Sequence, residues 1–140
     1  MSEISFVIPG QPKGKARPRV TRNGTYTPKA TREFEALIRS CYAKNCGSFS
    51  FPPGVPLCAT IHAYFAIPKS YSKKQREARV FHPHPKKPDA DNIAKAVLDS
   101  LNGLAFSDDG AIAHLIIRKL YTDQSPCIDV HITEDWPLDF

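Results

Sequence analysis

Residues 57–67, LCATIHAYFAI, carry an apolar side chain at every odd position: Leu57, Ala59, Ile61, Ala63, Phe65 and Ile67. A period of two lines one face of a strand but winds all the way around a helix, so this chain must build a sheet with a buried face. Other segments supply what covers that face. Phe34, Leu37, Ile38 and Cys41 recur at i, i+3, i+4 and i+7, the spacing of an amphipathic helix. Pro28 suits the first turn of that helix, Thr27 its N-cap and Gly47 its end. A second helix is expected from Asp91, over DNIAKAVLDSLNG, with Asp91 as N-cap, Ile93, Val97, Leu98 and Leu101 facing inward, and Asn102-Gly103 as the stop.

The remaining segments fit around these. EISFVI at 3–8 reads as a strand ended by Pro9-Gly10, and residues 10–27 as an extended basic loop in which Asn23-Gly24 marks a turn or hairpin tip. Residues 72–80 read as a short basic helix capped by Ser72. FHPHPKKP is extended, because each proline forces its predecessor out of the α region. Residues 111–121 and 127–133 read as strands, and the turn DQSP between them predicts a hairpin. The order predicts an α+β fold: a small mixed β-sheet with helices packed on it. With 140 residues, the chain is read as one domain over 1–140, long enough to bury ~68–70% of its unfolded surface without disulfide staples.

Charge narrows the function. The net charge is +5. Sixteen of the 19 Lys and Arg residues lie in two stretches, 13–44 and 69–87. Five of the 14 acids gather between Asp89 and Asp109. Basic segments flanking an acidic centre suit a metal nuclease, in which cations hold the phosphate backbone and carboxylates hold the ion. The four cysteines, Cys41, Cys46, Cys58 and Cys127, have neither C-x-x-C nor zinc spacing and read as buried reduced thiols. His82 and His84 lack partners at zinc spacing. MSEISFVIPG has no signal-peptide pattern and no stretch approaches the ~18 apolar residues of a membrane span, so a cytoplasmic protein is expected.

The chemistry centres on Lys87-Pro88-Asp89-Ala90-Asp91-Asn92-Ile93-Ala94-Lys95. Asp89 and Asp91 stand two apart where an extended segment meets a helix, so both carboxylates can reach one metal ion. Lys95 and Asp99 follow one and two turns beyond Asp91 on roughly the same face, and a lysine there can reach a scissile phosphate. Ser107-Asp108-Asp109-Gly110 supplies a second acidic element. If the helix runs along the sheet and this loop returns to the Asp89/Asp91 end, three or four carboxylates share a pocket whose repulsion a hard cation relieves. Each feature also has an ordinary structural reading. Asp91 can be a plain cap, Asp108-Asp109-Gly110 a plain turn, Lys95 a helix-surface ion pair, and Arg17 and Arg19 a solvated loop. Tyr26 can stack on a base or simply pack.

These residues resemble a known family. FVIPGQPKGKARPRV, TYTPKATREFE, KPDADNIAKAVLDSLNG and FSDDGAI, in that order over about residues 4–120, are similar to the RusA-type Holliday-junction resolvases, small endonucleases common in prophages. The resemblance implies a RusA-like homodimer that binds four-way junctions and nicks two strands symmetrically with Mg²⁺, Mn²⁺ being an alternative ion, in DNA recombination and repair. It places the paired aspartates on Asp89 and Asp91, the lysine on Lys95 and the downstream acid on the Asp108-Asp109 pair, with Asp109 favoured. Lys13, Lys15, Arg17, Arg19, Lys73, Lys74, Arg76, Lys86 and Lys87 are then candidates for phosphate contacts, which position DNA without reading its sequence. Three other readings compete: a metal nuclease of flaps or other branched DNA, a non-catalytic DNA-binding module, and an RNA-binding protein. The last has no aromatic RNP-like segment in its favour.

Overall fold

Strand β4 (Leu57–Ala66) lies inside the sheet of the computed structural model, and its odd-numbered residues from Leu57 to Phe65 are buried, as their period of two requires. The structure describes residues 2–134; Met1 and residues 135–140, part of the expected domain, lie outside that range. The sheet has the order β1-β6-β4-β5, where β1 is Glu3–Pro9, β5 is Ile112–Thr122 and β6 is Cys127–Thr133. Ile4, Phe6 and Ile8 of β1 and Ile128, Val130 and Ile132 of β6 bury alternate side chains into the same core. A separate hairpin, β2 (Arg19–Thr21) and β3 (Gly24–Tyr26), forms where the Asn23-Gly24 signal predicts a tip, but its two-residue turn is Arg22-Asn23, and Gly24 opens β3 opposite Thr21. The fold is thus α+β with a mixed sheet.

The expected hairpin of β5 and β6 does not form. β4 lies between them, parallel to β5 and antiparallel to β6. The turn over residues 123–126 carries the chain across the end of β4, and a four-residue segment reaches up to ~13 Å, enough to cross two strand spacings of about 4.8 Å. That placement lets β6 pair on both edges, with β1 and with β4.

Helix α1 (Lys29–Cys46) and helix α3 (Ala90–Leu101) pack on one core with the sheet, while α2 (Lys73–Arg79) buries no residue. Pro28, not Thr27, occupies the N-cap position of α1, without a side-chain bond, and Gly47 ends the helix at φ 62°. The buried stripe of α1 is Thr31, Phe34, Ile38 and Tyr42; Leu37, expected inside, is 38% exposed. Tyr42 accounts for that rotation. Its ring meets Phe6 edge-on at 5.7 Å, and its hydroxyl donates to the Phe49 carbonyl. Helix α2 carries the predicted cap: the Ser72 hydroxyl accepts from Gln75 N–H at 3.2 Å, and the Gln75 side chain accepts from Ser72 N–H at 2.8 Å.

Helix α3 starts one residue before the expected point. Asp89 holds its N-cap position and Asp91 lies in its first turn. Ile93, Val97, Leu98 and Leu101 are buried as predicted, joined by Ala94, Ala96 and Ser100. Residues 81–84 run along the outer edge of β5. Phe81 N–H donates to Tyr121 O, Tyr121 N–H to His82 O and His84 N–H to Lys119 O, each at 2.9 Å. The His84 ring lies flat on Phe65 at 3.9 Å. Burial, with Lys119 and Lys86 nearby, holds its pKa below the usual histidine value. Only Cys58 of the four thiols is buried; Cys41, Cys46 and Cys127 are partly exposed, and all are free. No helix among the described residues is long and apolar enough to cross a membrane.

Candidate active site

The segment leading into α3 is tied to β5. The Lys119 ammonium donates to the Pro88 carbonyl at 2.7 Å and also to the Lys86 carbonyl. This fixes the backbone just before Asp89. The Asp89 carboxylate pairs with Lys87 at 2.9 Å. That hydrogen bond, with the Lys87 and Lys119 charges, holds its pKa below the ordinary carboxylate range. Asp89 is therefore ionised at neutral pH. Asp91 and Lys95 are exposed on α3, one turn apart, and Asp99 follows a turn later. At 1.5 Å per residue, Asp91 and Asp99 differ by about 12 Å along the helix axis.

The second acidic element returns to α3, and it meets the helix at Asp99, near the C-terminal end. Asp109 opens a single 3₁₀ turn, Asp109–Ala111. Its carboxyl lies within hydrogen-bonding reach of the Asp99 and Asn102 side chains. Burial, the Asp108 and Asp99 charges and the bond to Asp99 push its pKa up, against a smaller opposing effect of Asn102. Asp108 is engaged differently: its carboxylate accepts from Gly110 N–H at 3.0 Å and caps the turn. Asp109 is thus the acid turned toward the helix. The shared pocket expected for Asp89, Asp91 and Asp109 is drawn out along α3 instead. No group of three His, Cys, Asp or Glu side chains among the described residues is placed to hold a metal ion. The cause is the crossover from β4 to the parallel strand β5. Lys119 anchors the start of α3 late in β5, while the loop after α3 must reach the start of β5 at Ile112.

The raised pKa of Asp109 has a thermodynamic consequence. The folded chain binds that proton more tightly than the unfolded chain. The contribution of Asp109 to stability is therefore fully present below the ordinary carboxyl range and is lost as pH rises through the elevated value. Asp109→Asn removes the loss. Thermal unfolding should show the variant melting above the parent at pH 7, with the gap closing near pH 3. A variant melting at or below the parent at pH 7 would rule out the crowding of Asp109 by Asp99 and Asp108.

The basic candidates divide by what already engages them. The Lys15 ammonium pairs with Asp99 at 2.7 Å and with Glu35 at 3.5 Å. Burial works against its charge, but these partners outweigh burial and leave its pKa raised. Lys15 is thus held as a brace between the N-terminal loop, α1 and α3. Arg76 donates to the Ile67 and Pro68 carbonyls, at 3.3 and 3.0 Å. Lys87 is paired with Asp89 but remains exposed. Lys13, Arg17, Arg19, Lys73, Lys74 and Lys86 are exposed, where they can meet phosphate. Sequence reasoning left Glu35, Asn92 and Lys119 out and gave Asp99 no role beyond its helix face. The i, i+8 spacing from Asp91 was the available signal for Asp99; none marked Lys119.

Gly14 brings the N-terminal loop against this helix. A Cβ at Gly14 would lie 3.0 Å from Pro88 Cβ and 3.1 Å from Asn92 Cβ, and Lys15 N–H donates to the Asn92 carbonyl at 3.1 Å. The loop, the start of α3 and the edge of β5 therefore meet around Asp89 and Asp91. Exposed carboxylates at one end of α3, an exposed lysine midway and a crowded carboxyl pair at the other end form an oxygen-rich face with cations around it. Such donors suit a hard divalent ion, which takes one or two carboxylates and completes its shell with water and phosphate. The family model described as Endodeoxyribonuclease RusA matches residues 9–133 of this chain. The uncharacterized protein YqaN of Bacillus subtilis (strain 168) is 30% identical over 145 residues, covering 96% of this chain and 98% of that protein.

Proposed function

Because the chain belongs to the RusA endodeoxyribonuclease family, we propose that it is a Mg²⁺-dependent resolvase that nicks paired strands of a Holliday junction symmetrically. In this reading residues 1–140 form one endonuclease domain that acts as a homodimer, since two symmetric cuts need two active sites. The observation that carries it is the acidic face of α3 beside exposed cations. Asp89 and Asp91 would hold the ion at the start of α3, and Asp109, which lies beside Asp99 at the other end of the helix, would join them as the third acid once DNA and metal draw the two acidic elements together, with Asp108 kept in place as the cap of the 3₁₀ turn. An ion held there would supply an activated water and a positive charge for the transferring phosphate.

The chain's own residues do the rest. Lys95, exposed between the two acidic ends, neutralises charge developing on the phosphate. Lys119 fixes the backbone before Asp89, and Lys15 holds Asp99 in place against Asp109. Lys13, Arg17, Lys73, Lys74 and Lys86 contact phosphates and set the register of the DNA without reading its bases, with Arg19 adding its charge beside them.

The test is cleavage of a synthetic four-way junction by purified protein with Mg²⁺, mapped on all four strands. Flap, fork and linear duplex DNA of the same sequence serve as comparisons. The expected result is paired nicks at symmetry-related positions on two opposing strands of the junction. Equal cutting of flaps or linear duplex points to a broader branched-DNA nuclease. Absence of product on every substrate with any divalent ion points to a binding module.

A further inference from the structure

The geometry points to the β2–β3 hairpin as an arm that enters the open centre of branched DNA, with Tyr26 and Arg19 stacking on an exposed base and Val20 covering the opposite side. This inference rests on the branched-DNA reading and adds the element that would distinguish a branch point from duplex.

Every residue from Ala16 to Tyr26 is exposed. Val20 is 81% exposed and Tyr26 48%. Two three-residue strands are marginal in water by themselves, so what holds this hairpin matters. At the tip, the Thr21 hydroxyl donates to the Gly24 carbonyl at 3.1 Å and accepts from Asn23 N–H at 3.3 Å. At the base, Ala16 N–H donates to the Thr31 hydroxyl at 3.3 Å, Lys15 N–H to the Asn92 carbonyl, and Gly14 lies against Pro88 and Asn92. The arm thus stands clear of the body while its base is fixed within one residue of Asp91.

The strand register assigns its faces. Arg19 pairs with Tyr26 and Val20 with Thr25. Directly opposed residues share a face, and neighbours along a strand point to opposite faces. One face therefore presents an aromatic ring beside a guanidinium, and the other a β-branched side chain. An aromatic ring with arginine beside it is a platform for an unstacked base. An apolar side chain on the far side suits contact with the next base, as in wedges that open base steps.

Charge selects the occupant. Residues 13–32 contain Lys13, Lys15, Arg17, Arg19, Arg22, Lys29 and Arg32 and no acid. A polyanion fits such an arm. Within a duplex, stacking covers both faces of every base, whereas at a branch point the stack ends and a base face is free. The arm therefore meets its partner at the branch, beside the carboxylates that its base adjoins.

The test uses the full chain, without divalent metal, on a four-way junction carrying 2-aminopurine at the branch point and on linear duplex of the same sequence. The variant is Val20→Ser with Tyr26→Ser, both at exposed positions, with its thermal unfolding compared with the parent's. The parent should bind the junction more tightly than the duplex and lower the 2-aminopurine fluorescence as Tyr26 stacks on that base. The variant should bind the junction about tenfold or more weaker and lose the fluorescence change, with duplex affinity altered less than twofold. Unchanged junction binding and fluorescence overturn the inference, as does an equal loss on junction and duplex. A changed sedimentation coefficient in the variant also overturns it, since the arm would then cover a second copy of the chain. A parent without preference for the junction defeats the branched-DNA reading itself, whereas a preference that the variant retains defeats the arm alone.

Discussion

Asp91→Asn is expected to reduce single-turnover nicking of a four-way junction by at least about 10³-fold while leaving junction affinity equal or tighter. A thousandfold corresponds to roughly 4 kcal/mol of transition-state stabilisation, a size typical of a charged or hydrogen-bonding group that acts on developing charge. The side chain is exposed in the first turn of α3, and Asp89, not Asp91, holds the N-cap position. Its replacement by an isosteric amide therefore removes charge without opening the core. Binding survives because the exposed cations of the two basic segments are untouched, and one negative charge fewer favours DNA. Labelled-junction cleavage under excess enzyme measures the first quantity, and a gel-shift titration without metal measures the second. Nicking at the parent rate would remove Asp91 from the active site, and a parallel loss of binding would make it a structural residue.

The second large effect concerns the scaffold. Ile93 follows Asp91 by two residues, points the other way and is fully buried, at 0% exposure, among the core residues contributed by α1, α3 and the sheet. Ile93→Ala removes buried methyl and methylene groups beneath the turn that carries both aspartates. Such truncations cost about 2–5 kcal/mol, because the packed surroundings close the cavity only in part. For a chain of this length the melting temperature should fall by on the order of 10 °C. Urea unfolding should give a lower midpoint with an unchanged slope. At temperatures where the variant remains folded, junction nicking should persist, which separates a scaffold role from the catalytic role of Asp91. A shift of only a degree or two would mean that α3 is not held to the core through its first turn.

Local features were the legible ones. The alternation from Leu57 to Phe65, the Ser72 cap, the inward face of α3 and the place of Asp89 and Asp91 at its start depend on neighbours in sequence, and periodicity reports them directly. What needed the third dimension was less accessible. The turn after Thr122 looks like any hairpin turn; only the preference of β6 for two partners, β1 and β4, shows that the chain steps over β4. Leu37 fits the helical period as well as Ile38 does, and the position of Tyr42 against Phe6 decides between them. The bond between Lys15 and Asp99 joins residues 84 apart in sequence. Its consequence for Asp109 follows from a crossover whose length, not its composition, sets where the loop lands.

The seat of β6 also governs when the protein can exist as a working unit. β1, at the beginning of the chain, pairs in the sheet with β6 alone, from Glu3 opposite Thr133 to Pro9 opposite Cys127. While the chain is being made from its N-terminus, β1 has no neighbour, and β4 and β5 form at most a two-stranded fragment. The last described strand closes the sheet in one step by filling the gap between them. A ribosome that stalls before β6 therefore releases no smaller nuclease, and the sheet that carries the acidic helix is closed only after residues 127–133 have been made.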